Sequence, residues 1–167
     1  MDDEDLLDPR VRDALRRLDI DATVMPCDPE LADTAAFCEA YGVDPRDSAN
    51  CIVVAGKGEP RRHCACVVLA TTRLDVNRAV TRLLGVRKAS FASADETREV
   101  TGMLIGGVTP FGLPDGLPLY IDSRVMARPK VVIGGGTRSA KLRLAPSTLQ
   151  GIPGAEVVDS LAIEPTT

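Results

Sequence analysis

Apolar positions along the chain switch between helical and strand spacing in an order that limits the fold. In DPRVRDALRRLDI, Val11, Leu15 and Leu18 share one face, Asp8 stands at the cap and Pro9 in the first turn, which predicts an amphipathic helix. ATVMPC reads as a strand. A second helix starts at Asp33 or Thr34, runs through TAAFCEAY and stops at Gly42. ANCIVVA and RRHCACVVLA flank the turn GKGEP, so residues 50–56 and 62–70 are expected to pair as an antiparallel hairpin. LDVNRAVTRLLG is the clearest helical stripe. Leu74, Val80 and Leu83 or Leu84 should pack on a sheet, and Gly85 ends the helix. Ser93 with Glu96 has the spacing of a capping box. PLYID, KVVIGG and LRLAP predict three late strands, and EVVDSLA a last short one.

That order holds too many adjacent strands for a doubly wound parallel sheet. The expected class is α/β (α+β), with a mixed, strongly twisted sheet or open β-barrel flanked by helices. The 167 residues suit a single domain spanning 1–167. Hydrophobic residues make up 44% of the chain but aromatics only 3%, so the core must be built from Val, Leu, Ile and Ala, and base stacking has few platforms.

The net charge of −4 is unlike that of a protein holding long nucleic acid, yet the charge is unevenly spread. MDDEDLLD carries five acids, whereas Ser123 to Ala145 carries Arg124, Arg128, Lys130, Arg138, Lys141 and Arg143 and no acid. This tract is either a solvated face or a site that neutralises a few phosphates. Five cysteines without disulfide-like spacing, an acidic N-terminus without an apolar leader and no long apolar run place the expected protein in a reducing cytoplasm, away from membranes.

The familiar catalytic sets are missing. The one histidine, His63, lies in a predicted strand, on the opposite face from Cys64 and Cys66, which makes zinc a poor fit. No metal and no cofactor are expected, and a metal-dependent hydrolase is the least favoured reading. GKGEP has the wrong spacing for a phosphate loop and reads as a turn. TGMLIGGVTPFGLPDGLP is too irregular for helix or strand and too apolar for a linker, so it reads as a packed, functional loop. Its glycines would expose backbone N–H groups, and Pro110 would hold Thr109 extended, an arrangement suited to an oxyanion hole or a carboxyl cradle as well as to a structural turn. Gly134, Gly135 and Gly136, followed by Thr137 and Arg138, are a second open-backbone segment, read as a phosphate site or a β-turn.

TGMLIGGVTPFG resembles the T-G-x-x-x-G-G-x-S/T-P-x-G signature of the YbaK/EbsC and prolyl-tRNA-synthetase-associated family, and the segments ANCIVV, VVLATTRLDVNRAVTRLLG, GLPLYID and KVVIGGGTRSAKLRLAP follow in the family's order over about residues 22 to 150. The resemblance implies a mixed barrel flanked by helices that hydrolyses mischarged aminoacyl-tRNA. Water attacks the ester, a substrate hydroxyl assists, and the Gly-Pro loop positions the carbonyl. It places Asn50, Gly106, Gly107, Thr109, Pro110 and Asp122 at the catalytic site, while the second glycine segment and the basic tract give Gly134, Gly135, Gly136, Arg138 and Lys141 as substrate-binding candidates. Asn50 stands where catalytically established members carry a lysine, K-T-L-V-V there and N-C-I-V-V here; Asn donates a hydrogen bond but brings no charge. The implied partners are the aminoacylated 3′ end of tRNA and an aminoacyl-tRNA synthetase. The alternative is a non-catalytic protein of the same fold that holds an aminoacyl-adenosine-like ligand or a synthetase.

Overall fold

A computed structural model describes residues 2–164. Helix α1 (Pro9–Arg17) begins where Asp8 accepts from the Arg10 amide at 2.8 Å. Strand β1 (Ala22–Pro26) leads to α2 (Thr34–Tyr41), which ends on left-handed Gly42. Strands β2 (Ala49–Gly56) and β3 (Arg62–Leu69) form the expected hairpin, in register from Ala49 opposite Leu69 to Gly56 opposite Arg62. Then come β4 (Arg73–Leu74), α3 (Thr81–Leu84), β5 (Ala89–Phe91), α4 (Ala94–Thr101), β6 (Leu119–Asp122), α5 (Ser123–Met126), β7 (Val131–Gly134), β8 (Ala140–Leu144), β9 (Ala155–Val158) and β10 (Ala162–Ile163).

The strands make three sheets among the described residues, and none closes into a barrel. The largest has the order β5-β2-β3-β6-β9, with antiparallel pairs around β2 and parallel pairs around β6. A second, antiparallel sheet has the order β1-β8-β7, and β10 pairs with β4. A parallel bridge between Ser48 and Val132 brings the edge of β7 to the start of β2. The main core joins Val11 and Leu15 of α1 to Val67, Ile121, Ile133 and Leu142 of the sheets.

Two local expectations change. The stripe at 74–84 does pack on the large sheet, where Leu74, Val80 and Leu84 meet Val54, Cys64, Cys66 and Val68. Its first half, Val76–Val80, however, winds as a π-turn rather than an α-helix. The Thr81 hydroxyl donates back to the carbonyls of Asn77 at 3.0 Å and Arg78 at 3.1 Å, competing with regular helical bonding. At α4 the Ser93 hydroxyl accepts from the Glu96 amide at 3.1 Å, but the Glu96 carboxylate does not reach back to complete the box. It pairs instead with Arg61, just before β3, at 2.5 Å and with His63 of β3 at 2.8 Å, because these charge-assisted partners outcompete a backbone amide. That network fastens α4 to the large sheet.

Candidate functional site

A cavity of about 380 Å³ opens where β2, α2, β7, β8 and the glycine loop converge, within the size range of small-ligand sites. Its wall includes Asn50, Thr34, Phe37, Gly106, Val108 and Lys141. Asn50 is the second residue of β2. The Thr34 hydroxyl at the start of α2 donates to its side-chain oxygen at 2.6 Å, which fixes the amide and leaves its NH₂ without a protein partner among the described residues.

Lys141 shares a strand face with Arg143, but β8 carries Lys141 inward, to 7% exposure, while Arg143 stays in solvent. Its ammonium donates to the Gly106 carbonyl at 2.6 Å and lies 5.6 Å from the centre of the Phe37 ring. Burial pushes its pKa below the ordinary lysine value, with Cys27 and Asp33 acting in the opposite direction. Arg138 holds the neighbouring part of the loop. It donates to the carbonyls of Ile105 at 2.8 Å and Pro29 at 3.0 Å and pairs with Asp33 at 3.1 Å.

Of the residues expected at the site, Asn50, Gly106, Gly134 and Lys141 line this cavity. Others stand elsewhere, each for a visible reason. The Gly107 amide donates to Leu104 at 2.9 Å, closing the loop's own turn, and its carbonyl accepts from Gly136 at 2.6 Å. Gly135 and Gly136 back onto α1: Gly135 accepts from the Asp8 amide at 3.2 Å, and a Cβ on Gly136 would meet Asp8 and Val11 at 2.6 Å. Thr109 is fully buried with an unpartnered hydroxyl, and Pro110 faces a separate cavity of about 310 Å³. Asp122 is also fully buried and does not line the main cavity. Burial pushes its pKa up, Arg124 at 3.4 Å partly offsets this, and one carboxylate oxygen has no partner. It sits at the N-terminus of α5 without capping it. Arg138 gives Nε and Nη1 to Pro29, Ile105 and Asp33, so part of its guanidinium is committed to the loop rather than held open for a phosphate.

Several wall residues were absent from the expected set. Thr34 and Phe37 lie one helical turn apart on α2, a spacing present in TAAFC but unremarkable without knowing what that face covers. Phe91 and Ile105 flank the opening at 56% and 49% exposure. Phe91 belongs to a strand of three residues, too short to show periodicity.

Cys51 lines the cavity, but burial pushes its thiol up to about 12, far from a usable thiolate. His63 is engaged with Glu96 and is not part of the wall. Among the described residues, Asp33 and Lys141 are the only carboxylate and the only cation lining it. Such a site suits a small polar ligand that it orients and polarises, with the attacking group coming from solvent or from the ligand.

The fold and this cavity define a mixed α/β domain with a small-ligand pocket walled by β2, α2 and the glycine loop. The chain belongs to the aminoacyl-tRNA editing domain family, whose model matches residues 28–152. It is similar to the crystal structure of a protein proposed to be a trans-editing enzyme for prolyl-tRNA synthetase, at 30% identity and a TM-score of 0.77, covering 95% of this chain and 99% of that one. It is also similar to the hypothetical protein APE2540, at 27% identity and a TM-score of 0.80, covering 90% of this chain and 97% of that one.

Proposed function

We propose that this chain is a trans-acting deacylase that hydrolyses the ester between a wrongly attached amino acid and the 3′-terminal ribose of tRNA. Water adds to the ester carbonyl carbon, helped by the neighbouring ribose hydroxyl. The C–O bond to the ribose then breaks, the ribose oxygen takes a proton, and free amino acid and uncharged tRNA leave. The observation that carries this reading is the cavity itself. It pairs an ordered amide and a glycine-loop wall with no Ser-His or Cys-His pair among the described residues, as a reaction without a protein nucleophile requires. Family membership and the similarity to a protein proposed to trans-edit for prolyl-tRNA synthetase support the substrate class and a synthetase partner. No helix of the described residues is long and apolar enough to cross a membrane, in keeping with a partner as large and polar as tRNA.

Asn50 favours a second reading, in which the same cavity only holds an aminoacyl-adenosine-like ligand. Incubating the purified protein with a panel of mischarged tRNAs separates the two. Release of one amino acid well above its spontaneous rate supports the deacylase. Binding of the panel with every ester intact supports the carrier and overturns the deacylase.

A further inference from the structure

Lys141 lies on the face of β8 opposite Ala140, Leu142 and Leu144, yet it is buried while Arg143 on the same face is exposed. Around it are Phe37, Cys27, Cys38 and Val132, a small cluster of buried apolar residues. No carboxylate lies within salt-bridge distance of its ammonium among the described residues, because the nearby Asp33 is paired with Arg138 at 3.1 Å. One of three N–H donors is spent on the Gly106 carbonyl, the only hydrogen bond that the ammonium makes among the described residues. A neutral donor would anchor that carbonyl without the desolvation that a buried cation suffers. The charge therefore has a use beyond holding the loop, and the one open direction is the cavity that Lys141 lines.

The part of the wall at position 50 brings no charge. Asn50 presents an amide whose oxygen is already taken by Thr34. An aminoacyl ester gains negative charge at one atom during hydrolysis, the carbonyl oxygen, and a buried ammonium acts most strongly on charge that develops where water is excluded.

We propose that Lys141, supplied by β8, is the cationic catalytic residue of this cavity and donates to the ester carbonyl oxygen as it becomes an oxyanion, which makes a lysine at position 50 unnecessary. This rests on the deacylase reading and adds to it a specific group with a specific target. Asn50 then acts as a neutral neighbour. A lysine there would put a second cation in the same small cavity, so Asn50→Lys should reduce activity instead of restoring it.

The test compares wild type, Lys141→Gln, Lys141→Met, Asn50→Lys and the double variant Asn50→Lys/Lys141→Gln, each checked for folding by circular dichroism. For deacylation of whichever mischarged tRNA the wild type accepts, both single Lys141 variants should lose about 100- to 1,000-fold in kcat/KM, the usual effect of removing one oxyanion donor. The double variant should recover at least tenfold over Lys141→Gln, because it returns a single cation to the cavity from position 50. Folded Lys141 variants within threefold of wild type overturn the proposal.

A binding arm keeps this test separate from the deacylase reading. Two probes are titrated: an adenosine 3′-aminoalkylphosphonate, which carries negative charge where the oxyanion would form, and adenosine 5′-monophosphate, which lacks the aminoacyl part. Lys141→Gln should weaken the phosphonate at least 30-fold and the monophosphate less than threefold. Loss of the monophosphate alone would reassign Lys141 to a phosphate and overturn the carbonyl assignment. Equal binding of both probes to wild type and variant would overturn any ligand role. Tight phosphonate binding that depends on Lys141, in a wild type that leaves every tRNA ester intact, would uphold the cation site and sink the deacylase reading alone.

Discussion

Gly107→Ala tests how the loop is held. A Cβ at this position would lie 2.5 Å from the Thr137 carbonyl oxygen and 2.6 Å from its carbon, both backbone atoms that no rotamer change can move. Ordinary contacts for carbon begin near 3.5 Å, so the β7–β8 turn must retreat by roughly 1 Å. That retreat stretches the 2.6 Å hydrogen bond from the Gly136 amide to the Gly107 carbonyl. Losing this bond costs about 1 kcal/mol. Overpacking of this kind costs about 1–3 kcal/mol, which brings the sum to about 2–4 kcal/mol. For a domain of this length each kcal/mol moves the midpoint by about 2–4 °C, so melting should fall by about 4–16 °C. Calorimetry of Gly107→Ala beside Gly151→Ala makes the comparison, since a Cβ on Gly151 meets nothing within 4 Å. A Gly107→Ala midpoint within about 2 °C of wild type would refute the claim that the loop is clamped against the turn.

Other consequences follow from the same geometry. Phe91→Ala should raise KM for aminoacylated tRNA about tenfold with little change in melting, because an exposed ring at the cavity mouth offers a stacking platform worth about 1–3 kcal/mol to the terminal base; an unchanged KM would remove that role. Arg138→Ala should lower kcat and thermal stability together but leave the salt dependence of tRNA binding unchanged, since its Nε and Nη1 hold Pro29, Ile105 and Asp33; a shallower salt slope would show that the guanidinium contacts phosphate. Arg61 first, and then His63, hold the Glu96 carboxyl down at about 2. A depressed carboxylate stabilises the fold above its unfolded pKa and loses that stabilisation as pH falls from about 4.5 toward 2. After allowance for solvent around Arg61 this is on the order of 1 kcal/mol. Glu96→Gln should flatten the acid limb of the stability profile accordingly, and an unaltered limb would count against the network.

The large elements were legible because their signals are local. The apolar stripe of α1, the turn between β2 and β3 and the positive-φ glycines after α2 and α3 need no knowledge of distant contacts. The interior of the stripe at 74–84 was misread because the back-bonding hydroxyl of Thr81 is invisible to periodicity. Glu96 was misread because a capping box competes with partners 33 and 35 residues away. The site was half legible. The loop and Asn50 lie in recognisable segments, but which face of β8 turns inward depends on how β1, β7 and α2 enclose it, so Lys141 was legible as a substrate-binding charge of the basic tract and not as a buried cation. Asp122 misled for the converse reason, since a strand-end carboxylate looks available until the C-terminal strand buries it.

A crystal structure with a non-hydrolysable 3′-aminoacylamino-adenosine tests most directly whether this cavity receives the charged end of tRNA. The account predicts the aminoacyl group between Asn50 and Gly106, with its carbonyl oxygen about 2.7–3.1 Å from the Lys141 ammonium. Ligand bound instead in the separate cavity beside Pro110, or none in the main cavity at saturating concentration, would contradict it.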